Sequence, residues 1–268
     1  KMINNKTKIY ISISKFPGST GSLLHNTGYK ILNLNCIYVP LKCENYKDLG
    51  LFINNLNFKG ISVSMPYKSK VVKFLDQLDT SSKKTGVANT ILRNKNKLKG
   101  FNTDFLALKK ILKKKKYKIK DCLLLGNGAT SRTSYEVLKE FKIKKIYLSS
   151  RNKKKYKSWN LRKSDKIFNW ERRNLIKSDL LINCTPLGMI NLNVSPKKIS
   201  SKDQHKYIID FPINKFNKLS NLARKFGINY VSGIEISFHQ GFEQFRIYTN
   251  KKISENKFKK KLNYNFYV

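Results

Sequence analysis

Short apolar runs alternate with amphipathic ones along the whole chain. "KIYISIS" (Lys8–Ser14), "CIYVPL" (Cys36–Leu41) and "GISVSM" (Gly60–Met65) are rich in β-branched and aromatic residues and predict strands. "SLLHNTGYKILNLN" (Ser22–Asn35) and "KSKVVKFLDQL" (Lys68–Leu78) predict helices between and after them. In "VANTILRNKNKLKGFNTD" (Val87–Asp104), a polar "RNKNK" centre between two apolar pieces predicts a β-hairpin. A second series follows Lys120. "DCLLLG" (Asp121–Gly126), "KKIYLSS" (Lys144–Ser150), "DLLINCT" (Asp179–Thr185) and "KYIIDF" (Lys206–Phe211) are near-continuous apolar runs, as in parallel strands covered on both faces. "SRTSYEVLKEF" (Ser131–Phe141) and "KLSNLARKFG" (Lys218–Gly227) predict intervening helices, the latter stopped by Gly227. The alternation implies βαβ units and an α/β fold with largely parallel sheets in two lobes. The lysine-rich stretch Lys113–Lys120 is the expected hinge, and the helical "IEISFHQGFEQFRIYTN" (Ile234–Asn250) could return to either lobe.

The length of 268 residues suits one large domain or two modest ones. Apolar residues at 40% and aromatics at 12% indicate a chain that folds. No apolar run approaches the ~18 residues of a membrane span, and "KMINNKTKIY" lacks the apolar region of a secretory signal. Cys36, Cys43, Cys122 and Cys184 show no C-x-x-C spacing, and His25, His205 and His239 are far apart, so no zinc pattern is expected. Isolated thiols suit a reducing cytoplasm.

The formal net charge of +40 raises the question of a nucleic-acid partner. Only eight of the 56 basic residues are arginine, the side chain suited to bidentate base contacts, and the lysines are spread over every part of the chain. Solvated lysines are the favoured reading. The densest run, "KKILKKKKYKIK" (Lys109–Lys120), reads as the solvated end of a helix plus a linker.

Two places carry chemistry. The first is "SMPYK", which places Lys68 just past a strand end, the face where open α/β sheets bind ligands. "GVANT" adds Asn89, and "GFNTD" adds Asn102, Thr103 and Asp104. A lysine and a carboxylate in one cleft can pass a proton to a developing alkoxide. Asp104 or Thr103 could equally cap the helix "FLALKKIL". The second is "GNGATSR" (Gly126–Arg132) between strand and helix, a turn that lets backbone N–H groups approach a pyrophosphate. Ser131 stands at the third glycine position, and an ordinary βα turn is the alternative. After the next strand, "SRNKKK" carries Arg151 where an acid would bind the ribose hydroxyls of NAD. A guanidinium there suits a ribose 2′-phosphate and favours NADP, unless Arg151 is one more surface cation.

Together the motifs resemble the shikimate dehydrogenase family, with its quinate/shikimate relatives. "SVSMPYK", "GVANT", "GFNTD", "GNGATSR", "SRN", "INCTPLGM" and "GIEISFHQG" occur in the family's order over roughly residues 10–250. The resemblance implies an N-terminal α/β substrate-binding domain (1–104, with C-terminal helices from about 236 to 268) and a Rossmann-type NADP-binding domain (105–235), with the active site in the cleft between them. It implies reversible reduction of 3-dehydroshikimate to shikimate. Lys68 would move the proton, and Asp104 would orient it and bind a ring hydroxyl. Ser19, Ser64, Asn89 and Gln240 would contact substrate. Gly126, Asn127, Gly128, Arg132, Ser150, Arg151, Asn152, Thr185, Met189 and Gly233 fall on cofactor positions, and no metal is implied. The expected partner is a small molecule, with no membrane and no nucleic acid, for a monomer or homodimer. Departures leave quinate or an amino-shikimate as alternative substrates. In "PGSTGSLLHN", Gly21 and Ser22 stand where the family has a second serine and a proline, leaving Thr20 or Ser22 to substitute. Ile213 stands in place of a tyrosine, and Ile236 in place of a methionine. His25 reads as structural.

Overall fold

The structure is a computed structural model and describes residues 3–262. The chain divides into two compact units, one made of Lys1–Ala107 with Phe238–Val268, the other of Leu108–Ser237.

The first unit holds β1 (Lys8–Ser14), α1 (Thr20–Ile31), β2 (Cys36–Lys42), α2 (Tyr46–Asn55), β3 (Gly60–Val63), β4 (Gln77–Leu78), α3 (Thr80–Thr85), β5 (Thr90–Asn94) and β6 (Lys97–Phe101). It also takes the start of α4 (Thr103–Lys115), the later part of α7 (Gly233–Thr249), and α8 (Glu255–Leu262). Its sheet runs β2-β1-β3-β5-β6-β4. β1 is parallel to β2 and β3, whereas β5 is antiparallel to both its neighbours, so this sheet is mixed. The expected hairpin is β5–β6, with Asn94 opposite Lys97.

Period-two alternation along β1 divides the core. Ile11 and Ile13 pack with Leu49, Ile53, Ile61 and Val63. Tyr10 turns the other way and packs against Tyr29 and Tyr248. Two glycines make this second layer possible. A Cβ on Gly28 would lie 2.4 Å from the Phe245 ring, and one on Gly60 would lie 2.6 Å from the Tyr248 ring.

The helix expected over Lys68–Leu78 does not form. Val71–Phe74 make a single 3-10 turn and Gln77–Leu78 become β4. Asp76 accepts from the Leu98 N–H through its carboxylate at 2.6 Å and donates its own N–H to the Leu98 carbonyl. Pairing beside β6 therefore captures backbone groups that a helix would have used. α2 and the short strands β9 and β12, given below, were not anticipated.

The second unit contains the rest of α4, then β7 (Asp121–Leu125), α5 (Ala129–Glu140), β8 (Lys145–Ser150), β9 (Lys166–Asn169), β10 (Leu180–Asn183), β11 (Tyr207–Asp210), α6 (Lys218–Lys225), β12 (Asn229–Val231) and the start of α7. Its strands run β12-β11-β10-β7-β8-β9, all parallel. That is the doubly wound Rossmann order, with its switch point between β7 and β10. The four apolar runs read from the sequence are its central strands. α4 continues through Lys115, so the start of the lysine run is helical, and the division between units falls earlier, after Ala107. Among the described residues no helix is long and apolar enough to cross a membrane.

Each unit buries a neutral histidine. His25 is fully buried and stacks on Tyr38 at 4.4 Å, and burial pushes its pKa down to about 3. His205, held by Ser178, is pushed down to about 4, first by burial. Both folded values lie below the unfolded ~6.5, so the unfolded chain binds more protons once pH falls through that value. Stability should therefore drop from about pH 6.5 downward, by up to ~1.4 kcal/mol per pH unit for each histidine. Urea midpoints at pH 7 and pH 5 check it. Equal midpoints would contradict the assignment of two buried neutral imidazoles.

Candidate active site

Past β3 the chain passes through Ser64, Met65 and Pro66, with a cis peptide at Met65–Pro66. Tyr67 then turns inward, and its buried hydroxyl donates to the Cys43 carbonyl at 2.7 Å. The Ala88 N–H donates to the Lys68 carbonyl at 2.9 Å. The backbone of Lys68 is thus tied from both sides, and its side chain starts from a defined position. Lys68 Nζ donates to Asp104 Oδ2 at 2.6 Å, with side chains only 14% and 7% exposed. The removal from water strengthens the pairing.

Asp104 is available because it caps nothing. Asn102 is the cap of α4, its Oδ1 accepting from the Phe105 N–H at 3.2 Å, which corrects the reading of Asp104 or Thr103 as caps. With capping done by Asn102, the Asp104 carboxylate is left for Lys68 and the Thr103 hydroxyl for the site. Asn89 Oδ1 accepts from the Thr103 N–H (2.8 Å), the Thr90 hydroxyl (2.9 Å) and the Thr103 hydroxyl (3.1 Å). The Thr103 N–H and the Thr90 hydroxyl are enough to occupy both lone pairs of this oxygen and fix the amide, so Asn89 Nδ2 is the face left for a ligand. The Thr103 hydroxyl has one proton, which it can donate either to Asn89 Oδ1 or to Gln240 Oε1 at 3.3 Å. Gln244 braces this group from behind, donating to the Asn89 carbonyl and accepting from the Ser62 hydroxyl.

Five residues named from the sequence thus come together: Lys68, Asn89, Thr103, Asp104 and Gln240. Ser19 sits at the start of α1 without using its side chain as a cap, so its hydroxyl remains available. Ser64 is exposed beyond β3, its N–H donating to the Ile13 carbonyl. A Cβ on Gly21 would lie 3.0 Å from the Tyr38 hydroxyl, so a serine there would press on that ring.

In the second unit the turn after β7 lies at the switch point. Gly126 has φ +105°, and a Cβ on it would lie 3.2 Å from the Cys184 carbonyl, which follows β10. Gly128 begins α5 with open space around it, no side-chain cap and no acid in the first turn, leaving N–H groups for an anion. Arg132 stands half-buried in that turn. Asn127 donates through Nδ2 to the Asn152 carbonyl, joining the turn to the loop after β8. There Ser150 is buried with an unpartnered hydroxyl, and Arg151 is exposed. Thr185 is held by Asn183, whose Oδ1 accepts its N–H at 3.0 Å and its hydroxyl at 2.7 Å. Met189 is exposed, and Gly233 packs against the Phe211 and Pro212 carbonyls. Asn183 was missed by the sequence reading. Its amide also donates to the buried Asp210 at 2.7 Å, and the signal was a polar residue ending an otherwise apolar strand.

A model of the shikimate dehydrogenase substrate binding domain matches residues 15–91. The NADP(+) shikimate dehydrogenase of Maridesulfovibrio salexigens is 30% identical over 88% of this chain and 88% of its own length. That of Clostridium beijerinckii is 33% identical over 91% and 97%. The chain belongs to the shikimate dehydrogenase family. Among solved structures, a chorismate mutase/shikimate 5-dehydrogenase fusion protein from Clostridium acetobutylicum superposes with a TM-score of 0.83 at 26% identity, covering 96% of each chain. The Aquifex aeolicus shikimate dehydrogenase also superposes at 0.83, with 25% identity, covering 98% of this chain and all of that one. The ordered motifs of this family are the ones that converge around Lys68 in one unit and around Gly126 in the other.

Proposed function

We propose that this chain catalyses the reversible reduction of 3-dehydroshikimate to shikimate with NADPH, the first unit binding substrate and the second binding cofactor. The observation that carries the reading is the shielded Lys68–Asp104 pair beside an asparagine whose amide is locked with its NH2 left for a ligand. The second unit suits NADP. It offers an uncapped helix start at Gly128 for the pyrophosphate and the Arg151 guanidinium for a ribose phosphate. The cofactor would supply the hydride to the ring carbon C3. Lys68 would then donate a proton from Nζ to the oxygen at that carbon, and would accept it in the reverse direction. Asp104 would hold the ammonium in position and accept from a ring hydroxyl. Asn89 and Gln240 would fix the ring, with Ser19 and Ser64 at its edge. Cys36, Cys43, Cys122 and Cys184 are thiols rather than disulfides, which supports a reducing compartment, and the scattered lysines argue against a nucleic-acid partner.

The test is reduction of NADP+ by shikimate, quinate and an amino-shikimate, followed by absorbance of the reduced nicotinamide, with protein freed of nucleic acid at high salt. Fastest turnover of shikimate is expected. Preference for quinate or the amino-shikimate would move the reading to that substrate, as the altered loop around Gly21 allows. Binding of NADP+ with no turnover of any of the three would overturn it.

A further inference from the structure

The mechanism leaves unused a large phenol buried beside the dinucleotide turn. Tyr156 lies in the 3-10 turn Lys153–Ser158, whose neighbours Lys153, Lys154, Lys155 and Lys157 are exposed. It is only 1% exposed, and its ring meets Trp159 edge-on at 5.0 Å. Its hydroxyl donates to the Gly126 carbonyl at 2.8 Å. The Ser131 hydroxyl donates to the same oxygen at 2.6 Å. A carbonyl oxygen has two lone pairs, and here both are taken. The peptide unit is planar and trans, so a carbonyl held toward Tyr156 and Ser131 directs the next N–H, that of Asn127, the opposite way. Burial raises the pKa of the phenol, which keeps it a donor.

The same contact acts in the other direction. A 3-10 turn bearing four lysines has little reason to stay folded against the protein, since its like charges repel. Two straps hold it: Tyr156 to Gly126, and Asn127 Nδ2 to the Asn152 carbonyl at its start. The Asn152 side chain closes the turn by accepting from the Lys154 N–H at 3.1 Å. Arg151 lies just before this clipped segment.

We propose that Tyr156 is a positioning residue that clamps the basic segment 151–157 to the dinucleotide turn and thereby sets the preference for a dinucleotide carrying a ribose phosphate over one without it. The proposal rests on the cofactor reading of the second unit. The pyrophosphate of either dinucleotide would meet the N–H groups of the turn, whereas only the ribose phosphate would meet the cations that Tyr156 anchors.

Tyr156→Phe keeps the ring and its packing and removes the hydroxyl that donates to the Gly126 carbonyl. Dissociation constants for NADP+ and NAD+ are measured by calorimetry on wild type and variant, without substrate. The variant should bind NADP+ about 3- to 10-fold more weakly, the worth of one net hydrogen bond, with a clearly smaller change for NAD+. Backbone amides of residues 153–157 should exchange faster with deuterium in the variant, while its melting temperature stays near that of wild type. An unchanged ratio of the two constants, with both affinities kept or both lowered equally, would overturn the role of Tyr156. Wild-type protein that bound neither nucleotide would overturn the cofactor reading as well. Asn127→Ala, which cuts the second strap, should lower the same ratio, and an unchanged ratio there too would count against the clamp.

Discussion

Lys68→Ala should lose turnover by ~10²–10⁴-fold while binding NADP+ as the wild type does. That range is what a positioned proton donor contributes, and Lys68 lies in the first unit whereas the candidate cofactor residues from Gly126 to Gly233 lie in the second. The truncation also has a folding consequence. Asp104 would keep a carboxylate only 7% exposed with its partner at 2.6 Å removed. Removing one member of a shielded pair costs more than the pair was worth, of order 3 kcal/mol where burial is deep and less where water can reach the group. Activity loss and stability loss must therefore be separated. The double variant Lys68→Met, Asp104→Asn restores a neutral, packed site and should recover most of the stability, but none of the activity. Steady-state rates, calorimetric nucleotide binding and urea midpoints on the three proteins decide the matter. A Lys68→Ala protein that kept more than about a tenth of the wild-type rate would remove Lys68 from the chemistry.

Gly233→Ala should cost ~2–3 kcal/mol of stability, an unusual penalty for one methyl group. The added Cβ would lie 2.2 Å from the Pro212 carbonyl oxygen and 2.5 Å from that of Phe211. Both are backbone atoms, just past β11, so no side chain can swing aside. Either the 211–213 loop or the start of α7 must move, and that loop follows Asp210, a buried carboxylate held by Asn183, Asn217 and Tyr230. Urea unfolding checks the value. A midpoint within experimental error of wild type would show that this approach is looser than the structure has it. Gly128→Ala makes a useful contrast, since nothing lies within 4 Å of that position and the cost should be only that of alanine replacing glycine at a helix N-cap, about 1 kcal/mol or less.

Much of the site was legible because its motifs sit where regular structure ends. "SMPYK" follows β3, "GFNTD" opens α4 and "GNGAT" follows β7, so strand and helix periodicity alone placed Lys68, Asp104 and Gly126 at element ends. Thr103 was named as a cap or a polar site residue, but its double duty toward Asn89 and Gln240 was not readable, because the partners lie 14 and 137 residues away. Tyr156 was illegible for a similar reason. In "NKKKYKSW" it reads as one aromatic among lysines, and only the fold carries its hydroxyl 30 residues back to Gly126. The segment Lys68–Leu78 misled because its apolar spacing fits a helix, while the winning contacts came from Leu98 on a neighbouring strand.

Local physics in the amino-acid sequence determined the alternation of strands and helices, the parallel core of the second unit and the residue types gathered at strand ends. Apolar period, glycine turns and charge act over a few neighbours and can be read directly. Tertiary structure alone decided which residue caps α4, which way the Asn89 amide faces, that Asp104 meets Lys68 across 36 residues, and that a buried tyrosine ties a lysine-rich turn to a glycine. Hydrogen bonds depend on distance and direction between atoms far apart in the chain, and those are settled only when the two sheets have formed and the side chains have packed.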